Sequence, residues 1–233
     1  MGNEEARVGA DPRVRPILGA GPGGHAGPPL PVLADRTPSA ERRAGVYRLL
    51  ARVFLKELDA EAVELLGDLP ELGRVLPSPD DHDALARLRA EFARLFLVEL
   101  SAHESLYLDD SGMLNTARTA KVLETCRRAG YEPPPDAVVG AADHIALELD
   151  FMAFLAALEA EARRAGDRRL AAALRGSQAS FLGDHLAAWA PLFCAGVEDS
   201  AGPLYAAASA LAREWLLTDL EALASSVAQP TGG

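Results

Sequence analysis

The segment DHIALELDFMAFLAALEAEARRA occupies residues 143–165 and decides the fold class. Its large apolar side chains recur at helical spacing, and they follow two stripes rather than one. One stripe contains Ile145, Leu149, Met152 and Leu155, and the other contains Leu147, Phe151, Phe154 and Leu158. A helix that is apolar on two sides has to be covered on both, so the pattern predicts a helix at the centre of a bundle.

Amphipathic helices are predicted on both sides of this central segment. Ser39 is placed as the N-cap of the first helix, whose apolar residues Val46, Leu49, Leu50, Val53 and Phe54 share one face. Further helices are predicted near residues 60–66, 85–95, 114–129, 168–189 and 201–224. An irregular stretch at residues 101–112 interrupts them, and no alternating strand pattern or fixed repeat is present. The sequence therefore predicts an all-α, single-domain helical bundle.

The two ends of the chain differ in composition from this bundle. Residues 1–37 are rich in Gly and Pro and carry few large side chains, which is typical of a disordered tail. Arg13 and Arg15 lie in that tail, but they are not adjacent and no apolar run follows them, so they do not form an export leader. We expect a disordered tail at 1–37, an all-helical domain at 38–226 and a flexible C-terminus at 227–233.

The charge of the chain excludes several classes of partner. Lys and Arg total 23 against 34 Asp and Glu, which gives a formal charge of -11. Phosphate backbones and anionic headgroups repel such a chain, so neither nucleic acid nor stable membrane insertion is expected. No run of about 18 to 20 apolar residues is present, and a cytoplasmic location is expected. Cys126 and Cys194 stand far apart, as packing residues of a reducing compartment do.

One pair of residues permits an alternative, enzymatic interpretation. His144 and Glu148 are four residues apart and share a helix face, which is the spacing of metal ligands or a proton relay. The competing interpretation is that His144 caps the helix, and that Glu148 and Asp150 form hydrogen bonds or ion pairs inside the bundle. The alternative function is thus a helical small-molecule- or metal-binding enzyme that uses the His144/Glu148 region.

Three segments, taken in order, resemble the TorD/DmsD/NarJ family of redox-enzyme maturation chaperones over roughly residues 41–220. They are EFARLFL at 91–97 with ESLYLD at 104–109, DHIALELDFM at 143–152, and HLAAWAPLF at 185–193. Members of the family usually have Pro and Gly near the aromatic loop, whereas here Ala102 and His103 precede Glu104. Thr116 also stands near a position where Gly is expected, which leaves the shape of the groove and the client open.

The resemblance implies a cytoplasmic, all-helical chaperone that is not an enzyme and binds no cofactor stably. Its partner would be an apo-molybdoenzyme catalytic subunit, or the twin-arginine leader of that subunit, held until molybdopterin guanine dinucleotide is inserted. A client without such a leader, as in the nitrate reductase branch, remains an alternative. The family also implies a monomer or a helix-exchanged dimer.

A leader of this kind presents two arginines and then an apolar segment, so its site needs carboxylates beside an apolar wall. The candidate client-binding residues are Tyr107, Leu108, Asp109, Asp110, Asp143, His144, Glu148 and Phe151, with Asp150 and Met152 as further candidates. Burial of one large apolar side chain contributes about 1.5 to 3 kcal/mol, against about 0.2 to 1 kcal/mol for an exposed ion pair. We therefore expect the apolar segment to supply most of the affinity.

Overall fold

A computed structural model describes residues 38–133, 137 and 140–227 of the chain. The predicted tail at 1–37, most of the Pro133–Pro135 connection and residues 228–233 lie outside this part. All regular elements in the described residues are helices, and none is a strand, which confirms the predicted all-α class. An isolated bridge between His103 and His144 is the exception to purely helical pairing.

The helices follow one another closely along the chain. The first half contains α1 (Ala40–Leu55), α2 (Ala60–Leu66), α3 (His82–Phe92) with a π-helical extension (Ala93–Glu99), α4 (Ser105–Leu108) and α5 (Ala117–Arg128). The second half contains α6 (Ile145–Arg164), α7 (Arg168–Phe181), a π-helical turn (Leu182–Leu186), α8 (Ala187–Ser200) and α9 (Pro203–Val227).

Short polar side chains define where several helices begin. Ser39 accepts a hydrogen bond from the backbone N–H of Arg42 at 3.2 Å, which confirms its predicted capping role. Asp59, Asp81 and Asp167 cap α2, α3 and α7 in the same way. Each cap satisfies one of the free N–H groups that a helix leaves in its first turn.

Helix α6 lies at the centre of the bundle, as its two apolar stripes predict. It packs against α1 and α7, while α8 packs against α9. Leu149, Phe151 and Met152 are all 1% exposed or less, although they point to different sides of the helix. Covering both stripes removes a large apolar area from water, which is the main favourable contribution to folding.

Aromatic side chains join the outer helices across the core. Tyr47 of α1 and Trp215 of α9 meet edge to face at a ring-centroid distance of 5.8 Å. Phe54 of α1 contacts Phe96 and Phe193, each at 5.7 Å, so α1, the π-helical extension of α3 and α8 share one cluster. Such edge-to-face pairs add to the stabilisation that burial alone provides.

A second, polar cluster stabilises the end of the bundle where the described chain begins. Arg43 is fully buried and donates hydrogen bonds to Glu159 of α6 and, at 3.1 Å, to Gln178 of α7. Tyr47 donates to Asp219 of α9 at 2.8 Å. The buried guanidinium is thus paired with carboxylate and amide oxygens, as a charge in an apolar interior requires.

Three features of the helices differ from the sequence prediction. The stretch predicted as irregular contains one helical turn, α4. Helix α5 begins at Ala117 rather than near residue 114, because Gly112 and Asn115 adopt left-handed backbone conformations and Thr116 caps the helix.

The helix predicted to end at Trp189 continues as α8 to Ser200, with Pro191 inside it. Pro191 lies five residues after the end of the π-helical turn at Leu186, near the start of α8.

In the described part of the chain, every helix is too short or too polar to span a lipid bilayer.

Candidate functional site

The loop that follows the π-helical extension of α3 is fixed to the start of α6. The backbone N–H of Glu104 donates to the carbonyl of Asp143 at 2.9 Å, and Ile145 donates to the carbonyl of Ala102 at 2.8 Å. The Asp143 carboxylate accepts a further hydrogen bond from the Ser105 N–H at 2.8 Å. These contacts place α4 and the residues after it at the N-terminal end of the central helix.

Glu104 is the centre of a buried polar network at this junction. Its side chain is fully buried, and Oε2 lies 2.8 Å from Nδ1 of His185 in the π-helical turn before α8. Its other oxygen, Oε1, accepts a hydrogen bond from Arg118 of α5 at 3.3 Å. Arg118 also donates to the carbonyl of Leu108 at 3.0 Å, so the loop, α5 and α8 are held together by one carboxylate.

Glu148 of α6 is buried beside this carboxylate. The indole N–H of Trp189 in α8 donates to Oε2 of Glu148 at 3.2 Å. Burial, and then the negative charge of Glu104, raise the pKa of Glu148 well above its usual value. The neutral, protonated form of Glu148 is thereby favoured over the charged form.

His144 acts as the N-cap of α6. Its Nδ1 accepts a hydrogen bond from the Ala146 N–H at 3.2 Å. The His103 ring meets it edge to face at a centroid distance of 4.9 Å. Burial, and then the charge of His103, lower the pKa of His144 to about 3, so its imidazole is neutral.

Most of the exposed large apolar side chains belong to three segments of the described chain. Seven large apolar side chains are exposed in the described part. Five of them lie in the π-helical extension of α3, in the loop that precedes α5, or on α8 itself, and the other two are Leu65 and Leu217. We call these five the α8 surface: Leu97 (71% exposed), Val98 (80%), Met113 (63%), Leu114 (40%) and Leu192 (68%). Grouped exposed apolar residues are typical of a binding surface, whereas single ones are ordinary.

Contacts of α8 show how these segments come together. A Cβ at Gly196 would lie 3.8 Å from the Leu100 side chain, so the end of the π-helical extension lies against α8. Leu192 is one turn before Gly196 and shares its face. Tyr107 of α4 packs on Trp189 and Phe193 with centroid distances of 5.2 and 6.3 Å, so the loop flanks the same helix.

An open cleft adjoins this surface at Leu97. Its volume is about 470 Å³, and it lies between the α1–α2 connection and α3. The lining residues are Leu55, Lys56, Glu57, Leu58, Asp59, Arg89, Phe92 and Leu97. Apolar side chains thus meet charges of both signs at its rim.

The eight candidate site residues divide into an accessible and an inaccessible group. Tyr107, Leu108 and Asp109 are half-buried and Asp110 is exposed. Asp109 accepts a hydrogen bond from the Ser111 N–H at 2.9 Å, which lowers the pKa of its carboxyl. The inaccessible group contains Asp143, His144, Glu148 and Phe151, each 7% exposed or less. The further candidates Asp150 and Met152 are also buried, and Asp150 accepts a hydrogen bond from Tyr131 at 2.8 Å.

Sequence reasoning did not identify Glu104, His185, Trp189 and Arg118 as a network. Glu104 and His185 are 81 residues apart, and helical periodicity says nothing about which helix faces meet. The signal available was that Glu104 begins the ESLYLD segment, while His185 and Trp189 both lie in the HLAAWAPLF segment. In the described residues, no group of three or more His, Cys, Asp or Glu side chains is arranged to hold a metal ion.

Known proteins resemble most of this chain, including the residues of the buried network. Residues 56–195 match the family model described as nitrate reductase delta subunit. A chaperone protein TorD from Shewanella loihica is 29% identical over 218 residues, covering 81% of this chain and 96% of the relative. TorD from Vibrio cholerae serotype O1 is 28% identical over 208 residues, covering 78% and 92%. TorD from Photobacterium profundum is 30% identical over 183 residues, covering 66% and 80%.

Proposed function

Because the chain belongs to the nitrate reductase delta subunit family, which includes relatives named as TorD chaperones, we propose that it is a maturation chaperone for a molybdenum-containing oxidoreductase. Membership of this family supports a chaperone and not an enzyme. The client's catalytic subunit is the partner, bound in the cytoplasm before export or assembly. The chaperone itself needs no stable cofactor, since molybdopterin guanine dinucleotide belongs to the client.

The part of the client that binds is its twin-arginine leader. The observation that carries this step is the α8 surface, of which Met113 and Leu114 follow Asp109 and Asp110 on the same loop, while Tyr107 of that loop packs against Trp189 and Phe193 of α8. A peptide with two arginines followed by an apolar segment matches this combination, because guanidinium groups pair with carboxylates and apolar side chains leave water on the surface.

The buried candidate residues serve this surface by positioning it. Asp143 holds the backbone of Glu104 and Ser105, and Glu104 in turn reaches His185 and Arg118. Loops that bind ligands are most effective when a rigid scaffold holds them. Asp143, Glu148 and His144 therefore set the shape of the loop while Tyr107, Leu108, Asp109 and Asp110 contact the leader.

The enzymatic alternative at the His144/Glu148 region is not favoured. Nδ1 of His144 is engaged by the Ala146 N–H, and Glu148 is bonded to Trp189. His144 is 7% exposed and Glu148 is fully buried, which leaves little room for a substrate. The geometry agrees with a helix cap and an internal carboxyl group.

Titration calorimetry with a synthetic peptide tests the proposal. The probe carries two adjacent arginines followed by a Leu- and Ala-rich segment, and a second peptide has the arginines replaced by Gln. We expect binding of the first peptide with modest salt dependence, and weaker but measurable binding of the second. Absence of binding by both peptides would contradict leader recognition and would leave the nitrate-reductase type of client, which has no leader, as the interpretation.

A further inference from the structure

We propose that this chain's own segment Arg13-Val14-Arg15-Pro16-Ile17-Leu18 docks on the α8 surface beside Asp109 and Asp110, where it competes with the client's leader. The competition rests on the proposed function, since it concerns the same surface. The docking itself stands on the chemistry of the segment, the charge of the surface and the length of chain between them.

The segment has the chemistry that this surface requires. Residues 1–37 contain four arginines, at positions 7, 13, 15 and 36. Only Arg13 and Arg15 lie within three positions of each other, and no acidic residue separates them. Residues two apart in an extended chain point to the same side, so both guanidinium groups can face one acidic edge. Ile17 and Leu18 follow after Pro16 and supply two apolar side chains.

The loop and α8 contribute acids but no Lys or Arg to the surface, and Arg213 of α9 is paired with Glu198 of α8. Neither residues 101–113 nor α8 contains Lys or Arg, whereas both contain acids, including Asp109, Asp110 and Asp199. The nearby cations Arg94 and Arg118 are already paired, with Glu99 and Glu104 respectively. An arginine-bearing segment thus meets carboxylates beside the exposed Met113 and Leu192.

The length of the intervening chain suits the distance it must cross. The carbonyl of Pro38, where the described chain begins, accepts a hydrogen bond from Arg43 at 3.2 Å, and Arg43 is bonded to Glu159. Glu159 is 14 residues after Ile145, which places it about 21 Å along α6 from the loop. Leu18 precedes Pro38 by 20 residues, and a chain of that length can reach at most about 66 to 72 Å, which exceeds this distance.

A tether long enough to cross the separation makes docking intramolecular, with an effective concentration that for short tethers is in the millimolar range. A segment with two apolar side chains binds weakly on its own, but this concentration lets it occupy the surface part of the time. A client leader, with adjacent arginines and a longer apolar run, displaces it by burying more surface. We expect the segment to weaken leader binding roughly two- to tenfold.

The first test uses the full-length chain and the twin-arginine peptide described above. The variant Arg13→Ala/Arg15→Ala/Ile17→Ser/Leu18→Ser is compared with the wild type, and Arg7→Ala/Arg36→Ala is the control with the same loss of charge in the same tail. We expect the first variant to bind the peptide roughly two- to tenfold more tightly and the control to match the wild type. Equal affinities for all three proteins would overturn the competition.

A second test locates the segment without any leader. A photo-crosslinking amino acid replaces Leu18 in the full-length protein, and the crosslinked residues are identified by mass spectrometry. Docking predicts crosslinks to residues 97–114 and to α8, which decrease when the peptide is added. Crosslinks elsewhere, or none, overturn the docking. If no variant binds the peptide, leader recognition has failed, yet the crosslink map still decides whether the segment docks.

Discussion

Nδ1 of His185 lies 2.8 Å from Oε2 of Glu104, and this contact joins the loop before α5 to the π-helical turn before α8. Both side chains are buried, and Glu104 also accepts a hydrogen bond from Arg118. One buried carboxylate thus fixes the loop that we propose to contact the leader. The stability of the fold and the shape of the proposed binding surface depend on the same residue.

Replacing this carboxylate is expected to be costly. Glu104→Ala removes the partner of the buried His185 and of Arg118, whose side chain is 41% exposed. Leaving a buried polar group without its hydrogen bond destabilises by about 1 to 3 kcal/mol. Urea unfolding measures the loss, with Glu99→Ala, which removes a carboxylate from an exposed pair with Arg94, as the control at about 0.2 to 1 kcal/mol. A loss below about 1 kcal/mol for Glu104→Ala would contradict the role of Glu104 as the centre of the network.

His144 makes the stability sensitive to mild acid. Its pKa is lowered to about 3 in the folded state against 6.5 for the free side chain, so between these values the unfolded chain binds one more proton. Relative to His144→Asn, which keeps a capping side chain, the wild type is expected to lose up to about 1.4 kcal/mol per pH unit as the pH falls below 6.5. Parallel stability profiles of the two proteins across this range would show that His144 is not buried as described.

Glu148 is expected to act in the opposite direction. Its pKa is raised, so above about pH 4.5 the unfolded chain loses a proton that the folded chain keeps. Relative to Glu148→Gln, the free energy of unfolding of the wild type should fall with rising pH by up to about 1.4 kcal/mol per unit, until the folded-state pKa is passed. Urea unfolding at several pH values checks this, and a difference that does not change with pH would contradict the protonated carboxyl.

Leader affinity should depend on apolar contacts more than on charge. Leu192→Ser removes an exposed apolar side chain of α8 and is expected to weaken peptide binding about tenfold or more. Asp109→Asn and Asp110→Asn should each weaken it by no more than about fivefold. Leu217→Ser on α9 is the matched control, since Leu217 is exposed outside the α8 surface. Equal effects of Leu192→Ser and Leu217→Ser on calorimetric affinity would show that the peptide binds elsewhere.

Both thiols should be inert in the folded protein. Cys126 and Cys194 are buried free cysteines, and burial raises the pKa of each thiol to about 12. The thiolate is the reactive form, so a coloured disulfide reagent should label neither residue until denaturant is added. Rapid labelling of either one under native conditions would contradict the packing of α5 or α8.

The central part of the fold could be predicted because hydrophobic periodicity is a local property. The double stripe of α6 required cover on two sides, and the structure supplies α1 and α7 there. The extension of α8 beyond Trp189 could not be predicted, because Pro191 usually marks a helix boundary and the preceding π-helical turn leaves no sequence signal. Sequence patterns report periodicity, not the register at which helices meet.

The candidate site was predicted less completely than the fold. The motifs drew attention to Asp143, His144 and Glu148, yet a polar residue within an apolar run looks the same in sequence whether it faces a groove or a buried partner. Glu148 meets Trp189 and Glu104 only because α6, α8 and the loop converge. Tyr107 and Asp109 stay predictions, made because they lie in a stretch of sequence without sustained apolar periodicity.

The most direct test of the account is affinity capture of the tagged full-length protein from its native cells, with and without synthesis of the molybdenum cofactor. The account predicts that one molybdoenzyme catalytic subunit co-purifies and that its amount rises when cofactor synthesis is blocked, because the apo form then accumulates. If no molybdoenzyme subunit co-purifies under either condition, the maturation role is contradicted.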